Sequence, residues 1–123
     1  MKILSLALAY LFSIIWLLPA QAQDVRMYNT VKAKLAAGGQ VVGGTVDTPD
    51  PEIYCAMANS GFDFIWIEMQ HSSLNYTDVA RMIWACRDAP AVPFIRIPDA
   101  TEGDIQKATD IGALGLIVPM VDT

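Results

Sequence analysis

The sequence predicts an α/β fold built on a parallel sheet, and three observations carry that expectation. Short apolar stretches alternate four times with amphipathic helical stretches, in units of roughly 20 to 30 residues, as βαβ crossovers do. The strand-like stretches are apolar almost without alternation, which suits strands covered on both faces. Gly and Pro punctuate the joins, at Gly38-Gly39, Thr48-Pro49-Asp50-Pro51, Ser60-Gly61 and Gly112. This pattern alone does not separate an open doubly wound sheet from a closed barrel.

Taken in order, Asp24 to Ala37 is expected to be a helix, with Val25, Tyr28, Val31 and Leu35 near helical spacing. Gln40 to Val46 reads as the first strand. Pro51 then suits a first helical turn, and that helix runs to about Asn59. Phe62 to Glu68 is the clearest strand. A helix over Thr77 to Arg87 follows, because Val79, Met82, Ile83 and Cys86 fall at i, i+3, i+4 and i+7. Pro93 to Ile97 is the third strand. Thr101 and Asp104 look like a capping box with Asp in place of Glu, opening a helix that Gly112 closes. Leu114 to Val121 is the fourth strand.

The 123 residues carry a formal charge of -5 with no basic cluster. Nucleic acid is thereby excluded as the main partner, since neutralising phosphates takes grouped Lys and Arg. Residues 1–22 read as a signal peptide: Lys2, an apolar run from Ile3 to Leu18, then Ala20-Gln21-Ala22 as the cleavage site. Cleavage after Ala22 makes the protein exported, periplasmic or secreted, with no membrane span left in the mature chain. Residues 23–123 form the folded portion. Cys55 and Cys86 could pair in an exported protein, but both sit at apolar positions of expected helices. They are therefore read as two small buried hydrophobes.

In parallel α/β folds ligands bind at the carboxyl ends of the strands. The candidates there are Glu68, Gln70 and His71 after the second strand and Arg96 on the third. Asp110 stands just ahead of the fourth strand and Asp122 just beyond it. His71 is the only histidine, and imidazole exchanges protons near neutral pH. Arg96 lies in an otherwise apolar strand, so it needs a carboxylate beside it or an anionic ligand. A salt bridge to Glu68 and a clamp on a substrate carboxylate answer that need equally well. On position alone Asp110 is a helix C-terminal residue, set against the helix dipole.

Three stretches together carry a resemblance: Gly61-Phe62-Asp63-Phe64-Ile65-Trp66-Ile67-Glu68-Met69-Gln70-His71, then Phe94-Ile95-Arg96-Ile97-Pro98, then Asp110 through Val121. In order and spacing they resemble the HpcH/HpaI aldolase family, which includes 4-hydroxy-2-oxoheptanedioate aldolases of the phosphoenolpyruvate/pyruvate barrel superfamily. The resemblance implies a (βα)8 TIM-type barrel, of which this chain carries about the first four strands after the signal peptide. It implies a homo-oligomer that cleaves 4-hydroxy-2-oxo acids to pyruvate and an aldehyde. It also implies a divalent cation (Mg, Mn or Co) acting as Lewis acid, with ligands expected beyond Thr123 and none in this chain. By carry-over, His71 handles the hydroxyl proton, Asp110 is the carboxylate paired with it, and Arg96 holds substrate oxygens and steadies the developing charge; Arg96 and Glu68 are the expected substrate-binding residues. The family often reads Asp-Gly-Glu-His where this chain has Glu68-Met69-Gln70-His71, which alters the local charge. Two other readings stand beside this one: a non-catalytic exported binding domain, and a citramalyl- or malyl-type lyase of the same superfamily. Thr123 is expected to be an incomplete terminus, and the chain by itself inactive.

Overall fold

A computed structural model describes residues 28–122. The expected signal peptide lies outside the described residues, as do the first residues of the expected N-terminal helix. Among the described residues four helices and four strands alternate: α1 (Thr30–Ala36), β1 (Gly43–Val46), α2 (Pro51–Ala58), β2 (Phe64–Glu68), α3 (Tyr76–Ala85), β3 (Val92–Arg96), α4 (Glu102–Asp110) and β4 (Gly115–Ile117).

The strands form one parallel sheet in the order β1-β2-β3-β4. This order decides between the two architectures the sequence left open. A doubly wound sheet reverses its strand order at a switch point. A barrel adds each strand beside the last, so right-handed crossovers lay every helix on the same face. The packing follows the second pattern. Ile65, Ile67 and Ile95 point to one face and are fully buried with Tyr54, Ala58, Val79, Met82 and Ala108 of the helices. The alternate residues Phe64, Trp66 and Phe94 point to the other face and are only half-buried. There Phe64 and Phe94 stack with ring centroids 4.7 Å apart. Gly43 and Gly115 leave room for those two rings, which a Cβ at either glycine would strike.

Side-chain caps set the helix starts. Asn29 accepts from Lys32 N and caps α1, which begins at Thr30; the expected start at Asp24 lies outside the described residues. Asp50 accepts from Glu52 N at 2.8 Å, and Pro51 follows it in the first turn, as expected. The reciprocal capping box is at Asn75 and Asp78, not at Thr101. Thr101 does cap α4. Asp104, however, turns its carboxylate to the Tyr76 hydroxyl at 2.7 Å and the Thr101 hydroxyl at 2.7 Å, tying α4 to α3. That hydrogen bond, behind the effect of burial, pushes the Tyr76 hydroxyl well above its ordinary range.

Two further expectations are corrected. β4 is three residues long instead of eight: Pro119 has no N–H to donate, and Met120 adopts a left-handed φ of 55°. Cys55 and Cys86 are not two separate hydrophobes but a disulfide, with Cα atoms 5.5 Å apart. Cys55 lies on α2 and Cys86 caps the end of α3, so the bond joins the two neighbouring helices.

Candidate functional site

The polar end of the sheet is built on Glu68, the last residue of β2, which stands beside Arg96, the last residue of β3, in the parallel register. Trp66 is two residues earlier on the same strand face. The Glu68 side chain is 11% exposed and that of Arg96 25%.

Four donors converge on the Glu68 carboxylate. Oε1 accepts from Gln70 N at 2.8 Å and from His71 N at 3.0 Å. Oε2 accepts from Trp66 Nε1 and from Arg96 Nη1, each at 3.1 Å. Burial works against the charge, but these hydrogen bonds together outweigh it, so the carboxyl stays ionised to lower pH than usual. The Trp66 ring centroid lies 5.8 Å from the Arg96 guanidinium carbon, a cation–π contact that steadies the guanidinium further. Met69 N donates to Arg96 O at 3.1 Å, and the Ser72 hydroxyl donates to Glu68 O while accepting from Leu74 N. The chain between β2 and α3 is thus folded back on the carboxylate it leaves.

Of the expected site residues, the structure brings Glu68, Arg96 and His71 together. His71 is held through its backbone while its imidazole is exposed. Of the two answers to Arg96's need for a partner, the structure supplies the salt bridge to Glu68, through Nη1, while the buried Nε has no hydrogen-bond partner. Asp110 is not part of this cluster. It ends α4 ahead of β4, so it sits at the amino ends of the strands, opposite His71. There it borders a cavity of about 440 Å³ with Tyr54, Trp84, Pro90, Ile111 and Leu114. Within this chain the expected His71–Asp110 pair is not formed. Asp122 is exposed beyond β4.

Trp66 and Ser72 were missed by sequence reasoning. The period of two in strands was the available signal for Trp66, since it sets Phe64, Trp66 and Glu68 on one face. No comparable signal existed for Ser72.

The donor set does not fit a divalent cation. Among the described residues no three His, Cys, Asp or Glu side chains gather at one point. The one buried carboxylate among the described residues, Glu68, already accepts four hydrogen bonds. Among the described residues, no helix is long and apolar enough to cross a membrane.

Fold and site together define a parallel α/β sheet of barrel type with its polar residues at the carboxyl ends of the strands. No protein-family model matches the chain. A hydroxypyruvate/pyruvate aldolase of Rhizorhabdus wittichii is 35% identical over 95 residues, 77% of this chain and 38% of that protein. A 4-hydroxy-4-methyl-2-oxoglutarate aldolase of Chaetomium globosum is 31% identical over 98 residues, 78% of this chain and 36% of that protein. Among solved structures, an HpcH/HpaI aldolase/citrate lyase family protein from Burkholderia cenocepacia superposes with a TM-score of 0.71 at 28% identity. It covers 77% of this chain and 38% of that one. A citrate synthase superposes with a TM-score of 0.68 at 36% identity, covering 74% of this chain and 37% of that one. Over about three quarters of its length the chain is similar to HpcH/HpaI aldolases. It spans little more than a third of the length of the curated relatives it matches.

Proposed function

We propose that the protein is a carbon–carbon lyase that cleaves 4-hydroxy-2-oxo acids to pyruvate, or a close 2-oxo acid, and an aldehyde. The observation that carries this reading is the Glu68–Arg96 pair at the carboxyl end of the sheet with His71 beside it. Arg96 is anchored at Nη1, which leaves the rest of its guanidinium to grip substrate oxygens in a fixed plane. Glu68 has both oxygens engaged, so its part is to hold Arg96 rather than to touch substrate. His71 removes the proton of the C4 hydroxyl, the C3–C4 bond breaks, the aldehyde departs, and the electron pair stays on the 2-oxo acid as its enolate. A proton returned to C3 completes pyruvate. Arg96 stabilises the oxygen on which negative charge gathers.

The family is generally dependent on a divalent metal. The proposal includes a divalent cation such as Mg, Mn or Co, which would act as a Lewis acid and be held by ligands outside the described residues. A homo-oligomer is likewise part of the proposal. So is export, which the Cys55–Cys86 disulfide supports, because such bonds persist in oxidising compartments. N-terminal sequencing of protein from the cell envelope is expected to begin at Gln23; an intact Met1 in the cytoplasm would sink export.

The similarity to a citrate synthase keeps open a different carbon–carbon chemistry on this barrel. One experiment separates the readings: protein expressed from the whole reading frame is incubated with a 4-hydroxy-2-oxo acid and divalent metal. Pyruvate is read by its coupled reduction to lactate. Release that stops on chelation and returns with added metal is expected. No release with any 4-hydroxy-2-oxo acid or metal overturns the aldolase reading.

A further inference from the structure

Trp66 touches both members of the Glu68–Arg96 pair and has no part in the proposed reaction. Its indole Nε1–H donates to Glu68 Oε2 at 3.1 Å, and the Arg96 guanidinium carbon lies over its ring, 5.8 Å from the centroid. The strands bring the three together without help from a loop. Phe64, Trp66 and Glu68 follow one another at a period of two on one face of β2. The parallel register sets Trp66 beside Phe94 and Glu68 beside Arg96.

A side chain that only filled the inner face of the sheet would need neither contact, and the apolar rings of Phe64 and Phe94 pack there without any. An indole adds a donor and no acceptor, and here the donor ends on a nearly buried carboxylate. The reason lies in how Arg96 is held. The salt bridge grips the guanidinium through Nη1 alone. A single hydrogen bond is a pivot about which a planar group turns, whereas a two-point grip on substrate oxygens works only in a fixed plane. The ring against the guanidinium is a second restraint. The indole N–H is a third. It shares Oε2 with Arg96 while the Gln70 and His71 backbone N–H groups take Oε1, so the carboxylate cannot swing away with its partner.

We infer that Trp66 is a positioning residue, which fixes the plane of the Arg96 guanidinium by setting its ring on the cation and its N–H on the counter-ion. What Arg96 does rests on the aldolase reading; how Arg96 is held does not. Charge gathers on the substrate oxygen as the carbon–carbon bond breaks, so a guanidinium already in plane counts most in the transition state. Losing Trp66 therefore acts on turnover more than on binding, because a loosened guanidinium still turns to meet a bound acid.

Two readouts in protein expressed from the whole reading frame test this, one without substrate and one with it. Nuclear magnetic resonance follows the Arg96 side-chain N–H signals, identified by their loss in Arg96→Lys, and the Trp66 indole N–H, identified by its loss in Trp66→Phe. The wild type is expected to show separate Arg96 Nη signals, as a guanidinium held in plane does, and these should merge in Trp66→Leu. The indole signal should shift in Glu68→Gln. In pyruvate release from a 4-hydroxy-2-oxo acid, Trp66→Leu should lower kcat about tenfold or more, with KM within about twofold of wild type. Trp66→Phe, which keeps a ring and loses the donor, should recover part of that loss. Arg96 signals already merged in the wild type, or an indole signal indifferent to Glu68→Gln, would overturn the positioning role. So would a Trp66→Leu enzyme with unchanged kcat, or one altered in KM alone. Should Trp66→Leu fail to fold, Trp66→Phe decides, and a kcat equal to that of the wild type then counts against the role. Separate Arg96 signals that merge on loss of Trp66, in a protein that releases no pyruvate, would sink the aldolase reading and leave the positioning role standing.

Discussion

Glu68 shows how one residue can carry both stability and site geometry. Burial raises its carboxyl pKa, yet the donors from His71, Arg96, Trp66 and Gln70 leave it below the ordinary value of 4.5. A carboxyl whose pKa is lower folded than unfolded stabilises the fold above its unfolded pKa. That stability is lost as pH falls through the folded pKa. Glu68→Gln should therefore be less stable than wild type at neutral pH, by roughly 1–3 kcal/mol, because Arg96 is left without its counter-charge. The gap should close below the ordinary carboxyl range. Urea titrations at a series of pH values check this, and a difference independent of pH would refute it. The same cluster ranks three variants by turnover. His71→Ala should lose about 10²–10⁴-fold, as a proton carrier does. Arg96→Lys should lose nearly as much, since an ammonium keeps the charge but not the planar fork. Asp110→Asn should cost less than either, and a loss as large as that of His71→Ala would contradict this ranking.

At the scale of elements, the disulfide between α2 and α3 closes a loop with a sequence separation of 31 residues. Chain-entropy reasoning gives such a crosslink about 3–4 kcal/mol. Cys86→Ala, or the wild type in reductant, should melt several degrees lower, and alkylation without reduction should leave both sulfurs unlabelled. Labelling of both in freshly purified protein would refute the bond. The sequence showed this region as two cysteines at apolar helical positions, which was right about α2 and α3 and wrong about the sulfurs. Periodicity places a residue on its own helix, but pairing depends on which faces two helices turn to each other. The strands were legible for the opposite reason: a run such as Phe64-Ile65-Trp66-Ile67 needs no partner to be recognised. Boundaries were less so, as the Asn29 cap and the early end of β4 show, because single side chains and one proline set them. In the site, Glu68, Arg96 and His71 were found because polar residues at strand ends stand out against apolar neighbours. The four-fold use of the Glu68 carboxylate was not, since it depends on how the chain turns after β2.

At the scale of the molecule, the two faces of the sheet differ in a way that can be tested. The outer face is sealed by helices, with Ile65, Ile67 and Ile95 at 0% exposure. The inner face presents Phe64, Trp66, Phe94 and Ile117 half-covered. β1 and β4 are each paired on one side only among the described residues. Unpaired strand edges beside exposed aromatic surface are what drives chains together. In a complete barrel both edges are paired and the inner face becomes interior. A polypeptide of residues 23–123 alone should therefore self-associate and bind hydrophobic dye, even with its helices formed. Light scattering against concentration and dye fluorescence are the measurements. Adding charge on the inner face, as in Phe94→Lys, should reduce association while also loosening the Phe64–Phe94 stack. A monodisperse monomer of residues 23–123 with a single cooperative thermal transition would contradict this view of the sheet.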